Sequence, residues 1–171
     1  MKPIIPTVFA VGFLAASMLL PSAGNALDAR DAKAMEALKA GTSKLGAPKI
    51  EGMDAVGGKD APALYFGSTK MNNNFSVVDE VAKEGGQGMT ATLFVKSGDA
   101  FIRVATNVPK SDGSGRAIGT VMAGPALESI KAGKAYSGEN PVLGIPYIAA
   151  YEPIKDASGA IIGAYYVGYK K

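Results

Sequence analysis

The stretch MTATLFVKSGDAFIRVATN, residues 89–107, decides the fold. From Met89 to Lys96 apolar residues alternate, with Met89, Ala91, Leu93 and Val95 on one face. Ser97-Gly98-Asp99 reads as a tight turn. Ala100 to Asn107 returns as a partner strand, with Ile102 and Val104 on one face and Phe101 and Arg103 on the other. Two alternating runs joined by a short glycine-containing turn predict an antiparallel hairpin.

Working outward toward the C-terminus, Val108 to Gly115 reads as a polar loop. Pro125 to Ala132 predicts a short helix, with proline near its start and Gly133 after it. Ala135 to Glu139 can form a strand. Tyr147 to Ile154 and Ala160 to Tyr169 predict a second hairpin, turning at Lys155-Asp156-Ala157-Ser158-Gly159.

Toward the N-terminus, Ala63 to Gly67 predicts a short strand, and Phe75 to Lys83 a short helix or irregular segment. Ala47 to Pro62, with Gly52, Gly57 and Gly58, reads as turn-rich connection. A leading helix is predicted from about Asp28 to Leu45, with Met35, Leu38, Thr42 and Leu45 on one stripe. Asp28 and Asp31 read as favourable charges at its start. The sum is an α+β domain of about five antiparallel strands over residues 63–169, with helices packed on one face of a curved sheet.

The first 26 residues carry a different signal. Lys2 is the only charge before Asp28, an apolar run spans Val8 to Leu20, and small residues follow at Ala23, Gly24 and Ala26. These are the parts of a secretory signal, with cleavage expected after Ala26 or, as a second position, Gly24. The apolar run falls short of the ~20 residues that span a bilayer; an uncleaved anchor is the alternative. The expected domain is then residues 27–171, located in the periplasm or secreted.

Composition narrows the chemistry. The chain of 171 residues has no cysteine and no histidine. That removes disulfides, thiolate nucleophiles, c-type haem, the Ser-His-Asp arrangement and the commonest zinc ligand. Asp79 and Glu80 are neighbours and point in different directions, so they form no acid–base pair. Asp112-Gly113-Ser114-Gly115 lacks the oxygen ligands of a calcium loop. No catalytic residue, metal site or cofactor is expected. The formal net charge of +3 is scattered rather than clustered, which gives no sign of a nucleic-acid partner.

The ordered motifs resemble a known family. LYFGSTKMNNNFSVVDEV (64–81), MTATLFVKSGDAFIRVATNV (89–108), GRAIGT (115–120), KAYSGE (134–139) and GIPYIAAYEPIKDASGAIIGAYYVG (144–168) are similar, in that order, to bacterial single Cache domains of the Cache 3/Cache 2 fusion type. Such domains are extracytoplasmic sensor modules with a PAS-like sheet. They usually sit between two membrane helices, ahead of a chemotaxis-transducer or kinase part. Neither the second helix nor an output part is recognisable here. The resemblance therefore implies a free periplasmic binding module, for a small molecule and by family habit a small organic acid, reporting to a separate membrane receptor.

Five residues are candidates for binding. Arg103, mid-strand, can hold a carboxylate through parallel hydrogen bonds, or stand as a solvated or ion-paired surface charge. Arg116, opening GRAIGT, has the same two readings. Tyr147 and Tyr151 share a strand face with Ala149 between them, leaving space beside two hydroxyls, or serve as core aromatics. Tyr136 is a further candidate of that kind. Tyr65, Tyr165, Tyr166 and Tyr169 read as packing or surface residues. The competing function is an envelope interaction protein that docks on a membrane receptor and whose pocket is vestigial; filled packing around Arg103 and Tyr147 would favour it.

Overall fold

The computed structural model describes residues 28–171; the expected signal and its cleavage site lie outside them. The elements follow as α1 (Ala29–Ser43), β1 (Pro48–Val56), β2 (Lys59–Phe66), β3 (Thr69–Lys70), α2 (Ser76–Gly85), β4 (Met89–Ser97), β5 (Ala100–Thr106), α3 (Pro125–Lys131), β6 (Tyr136–Val142), β7 (Ile145–Lys155) and β8 (Ile161–Lys170). The main sheet has five antiparallel strands in the order β5-β4-β8-β7-β6. Both predicted hairpins are present, β4–β5 and β7–β8. The first turns in two residues, because Ser97 pairs with Ala100 and leaves Gly98 and Asp99 between them. The result is the expected α+β, PAS-like arrangement. Among the described residues, no helix is long and apolar enough to cross a membrane.

Residues 47–62 overturn the reading as connection. They form β1 and the start of β2, and with β3 they build a second, three-stranded sheet. Val56 pairs with Lys59 across Gly57 and Gly58, whose φ angles are 61° and 80°. Two central residues with positive φ are what a type I′ hairpin turn requires, so the glycines mark a hairpin rather than a loop. The register shifts between Ile50 and Met53, placing a bulge at Glu51-Gly52 in this mostly exposed edge strand.

The main sheet is buried on both faces. Alternation sends Ala91, Leu93 and Val95 of β4 and Val167 of β8 toward the helices, where they meet Met35 and Leu38 of α1 and Val78 and Val81 of α2. The opposite face carries Phe94, Phe101, Tyr147, Tyr151 and Tyr166, covered by Val108, Ala117, Met122 and α3 residues Ala126 and Ile130. Asp28 caps α1, accepting from Arg30 N at 2.9 Å. Asp31 stands in the first turn, as its reading as a helix-start charge has it, but it is buried. It heads the buried stripe of α1, fully enclosed, and neither carboxylate oxygen has a hydrogen-bond partner among the described residues.

The connection after α1 and the β2–β3 turn of the three-stranded sheet meet at a close backbone crossing. Gly67 sits at φ 59°, and a Cβ there would lie 2.1 Å from the Leu45 carbonyl oxygen. Gly67→Ala combines a left-handed alanine with a backbone clash. The expected loss is at least about 2 kcal/mol, read as a lower urea midpoint at unchanged slope. An unchanged midpoint would mean that this crossing opens freely.

Candidate functional site

Strand register builds the site. Across the main sheet Thr106 pairs with Thr92, Thr92 with Tyr166, Tyr166 with Tyr151, and Tyr151 with Tyr136. Directly paired residues point to the same face. Three tyrosines therefore stand side by side on adjacent strands, ending in two threonines whose hydroxyls are 2.6 Å apart. The Tyr151 ring lies 4.9 Å from that of Tyr166 and 6.2 Å from that of Tyr136. The rows on either side contain small residues, Ala164 in one and Ala149, Gly138 and Gly168 in the other. A small side chain beside a large one gives this face its relief.

Arg103 belongs to the same face. It pairs with Phe94, and its guanidinium lies 4.9 Å from the centre of the Phe94 ring. Only 2% of the residue is exposed. Its Nη1 donates to Thr120 Oγ1 at 2.8 Å and, more weakly, to the Val121 carbonyl at 3.4 Å. Its Nε is buried with no acceptor, and no carboxylate pairs with it among the described residues. Burial pulls the guanidinium pKa down, opposed by the phenols of Tyr151, Tyr166 and Tyr147. Those phenols supply no counter-charge, because burial pushes all three upward, Tyr166 well above its ordinary value. At neutral pH the face holds one cation and neutral hydroxyls.

The segment after β5 closes over this face. Arg103 N donates to Thr120 O, Gly119 N to Arg103 O, and Met122 N to Phe101 O. It follows the outer edge of β5 like a sixth strand, bridging Ile102 to Val121. Gly119 and Gly124 bound it with φ angles of 78° and 82°. Val121 between them is half exposed.

The structure thus brings Arg103, Tyr147 and Tyr151 together, with Tyr136 joining through its ring contact. It places Arg116 elsewhere. That guanidinium holds Asp79 of α2 through two bonds of 2.6 and 2.9 Å, donates to Thr106 O, and lies 4.4 Å from the Phe75 ring centre. Sequence reasoning missed Tyr166 and Asn140. For the first, burial of β8 on both faces hid the signal, and the irregularity between Ile154 and Lys155 shifts the register that the turn alone would suggest. For Asn140 there was none, because its role depends on α3. Shallow clefts flank α1, one against Val81 and Glu84 of α2 and one against Glu152 and Tyr165, on the helix side of the sheet.

The chain matches the model of the Cache 3/Cache 2 fusion domain over residues 49–171 and belongs to that family. No curated protein matches it. Cache domains are extracytoplasmic modules that sense and bind small molecules.

Proposed function

We propose that this Cache domain binds a small organic acid on the tyrosine-lined face of its sheet, with Arg103 as the anchor. The carrying observation is a buried guanidinium whose Nε lacks an acceptor and which no carboxylate neutralises among the described residues. Taking a charge out of water costs several kcal/mol unless it is paired. A carboxylate guest would pair it and accept from Nε and a terminal nitrogen together. Tyr147 and Tyr151 flank the guest, Tyr136 backs Tyr151, and Ala149 and Ala164 are the small side chains of that packed face. The Gly119–Gly124 segment must shift for entry, and its glycine ends suit it to do so. With no histidine or cysteine in the chain, the role is binding rather than catalysis. The domain acts outside the cytoplasm and reports to a separate membrane receptor.

The close packing of Arg103 and Tyr147 favours a second reading, an envelope interaction protein with a vestigial pocket. The unpartnered Nε weighs against it, since a disused site has no reason to retain an uncompensated buried charge.

Thermal unfolding against a panel of small carboxylates, amino acids, amines, purines and sugars tests the proposal. A ligand that binds only the folded state raises the melting temperature by mass action. A carboxylate should raise it, and Arg103→Ala should abolish the rise. Arg116→Ala should keep the rise, costing about 1 kcal/mol of stability through its lost ion pair with Asp79. Silence across the whole panel would shift the case to the receptor-docking reading.

A further inference from the structure

Phenols can donate or accept, and the bonds around this cluster decide which. The buried side-chain amide of Asn140 is oriented by backbone groups. Its Oδ1 accepts from Ala126 N at 3.3 Å, while one of the two Nδ2 protons is shared between the Ala123 and Pro141 carbonyls at 3.2 Å each, leaving the other for a third partner. The atom facing Tyr151 is therefore Nδ2, which donates to the phenol oxygen at 2.9 Å. Tyr151 acts as acceptor in that bond, and its own proton has no acceptor among the described residues. Tyr166 is arranged the other way. Thr90 Oγ1 gives its single proton to Gly168 O at 2.8 Å, so the 3.0 Å contact with Tyr166 is a bond donated by the phenol. The Tyr147 hydroxyl makes no hydrogen bond among the described residues.

What remains free around Arg103 is thus led by two donors, its own Nε–H and the Tyr151 O–H, beside a Tyr147 hydroxyl that can turn either way. A buried donor without an acceptor is costly; Arg103 Nε is one, and with the Tyr151 proton on the same face it calls for a guest rich in lone pairs. An α-ammonium group would bring three more donors and a like charge beside Arg103, with no carboxylate on this face to receive it.

Resting on the assignment of this face as the carboxylate site, we propose that Asn140 is a positioning residue. It turns the Tyr151 proton toward the guest, so that the site takes carboxylates without an α-ammonium group and rejects the amino acids of the same skeleton.

The test measures binding of skeleton-matched pairs to the purified chain by titration calorimetry: acetate and glycine, propionate and alanine, butyrate and 2-aminobutyrate, succinate and aspartate. In at least one pair the acid should bind and its amino acid should bind at least about 100-fold more weakly. Asn140→Asp keeps an acceptor for Ala126 N but places an oxygen against Tyr151, drawing the phenol proton away from the guest. It should narrow the acid-to-amino-acid ratio by about tenfold or more. Tyr151→Phe removes that proton by a second route and should narrow the ratio as well. A merely structural loss weakens both members of a pair alike and leaves the ratio unchanged, so an unchanged ratio in both variants overturns the role of Asn140. Equal or tighter binding of the amino acid by the unaltered chain overturns the preference against an α-ammonium group while leaving carboxylate binding intact. Absence of binding by every acid overturns both.

Discussion

Replacing Arg103 by methionine is expected to raise the melting temperature of the ligand-free chain while abolishing its response to carboxylates. The two effects share one cause. The guanidinium is 2% exposed and faces neutral phenols, so the folded state bears most of its desolvation cost without a counter-ion. Methionine keeps an unbranched stem against the Phe94 ring and offers a sulfur–aromatic contact in place of the cation. Few bonds are lost with the charge. Thr120 Oγ1 still donates to the Ala117 carbonyl at 2.7 Å, and Val121, whose carbonyl took the weaker bond, is half exposed to water. The net gain should be on the order of 1–2 kcal/mol, with about 2–4 °C in melting temperature for each kcal/mol in a chain of this size. Such a trade, stability against binding, is characteristic of a group retained for a ligand. A lower melting temperature with the carboxylate response intact would show instead that Arg103 is an architectural residue already satisfied by the protein.

The second large effect is a dependence of stability on pH set by Asp31. Its carboxyl is fully enclosed beneath the first turn of α1, with both oxygens unpartnered. Burial, with Asp28 one turn away adding to it and Arg30 opposing, pushes its pKa from 3.8 up to about 7. Between those values the folded chain holds a proton that the unfolded chain has released. Stability therefore falls as pH rises from about 4 to about 7, and this contribution is flat above that. The full loss is up to about 4 kcal/mol at one pKa unit per 1.36 kcal/mol. Asp31→Asn mimics the protonated form. It should gain most of that energy at pH 8 and little at pH 4, flattening the profile between them. Because the chain has no histidine, no imidazole titration overlaps this window. Urea midpoints measured for both chains from pH 4 to pH 8 check it. A parallel slope in the two would mean that the carboxyl finds water or a cation in solution.

The neighbourhood of Asp31 adds a structural consequence. Tyr169 donates to Asp28 at 2.7 Å, and Arg30 lies 4.6 Å from the Tyr169 ring centre while donating to Gln87 O at 2.6 Å. The start of α1 is thus tied to the end of β8 and to the loop before β4.

Much of this molecule can be read along the chain. Alternation over residues 89–107 predicts a hairpin with Arg103 on the Phe101 face, and the structure places both there. The spacing of Tyr147 and Tyr151 predicts a shared face, because side chains two apart on a strand point the same way. The i, i+3, i+4 stripe of α1 likewise survives in Met35, Leu38 and Thr42.

Three features resisted that reading, each for its own reason. Gly57-Gly58 serves a loop or a type I′ turn equally well in one dimension; only the pairing of Val56 with Lys59 chooses between them. In β8 both faces are buried, so apolarity does not alternate and the strand gives no hint which of Tyr165 and Tyr166 joins the site. Pairing with Tyr151 sends Tyr166 to the site face, and Tyr165 meets Thr42 of α1 on the other. Asp31 looks like a helix-start charge because local rules favour an acid there; its burial follows from where α1 lands on the sheet.

By itself, then, the sequence determined the strands of the main sheet, the leading helix and the faces on which Arg103, Tyr147 and Tyr151 stand, since these follow from residue periods of 2 and 3.6. Only the tertiary structure decided which of these groups lack partners. The acceptor missing from Arg103 Nε, the direction of the Tyr151 proton and the enclosure of Asp31 all depend on residues distant in the chain, Thr120, Asn140 and β8 among them. Hydrogen-bond satisfaction and burial are properties of the assembled fold, and no local pattern of residues encodes them.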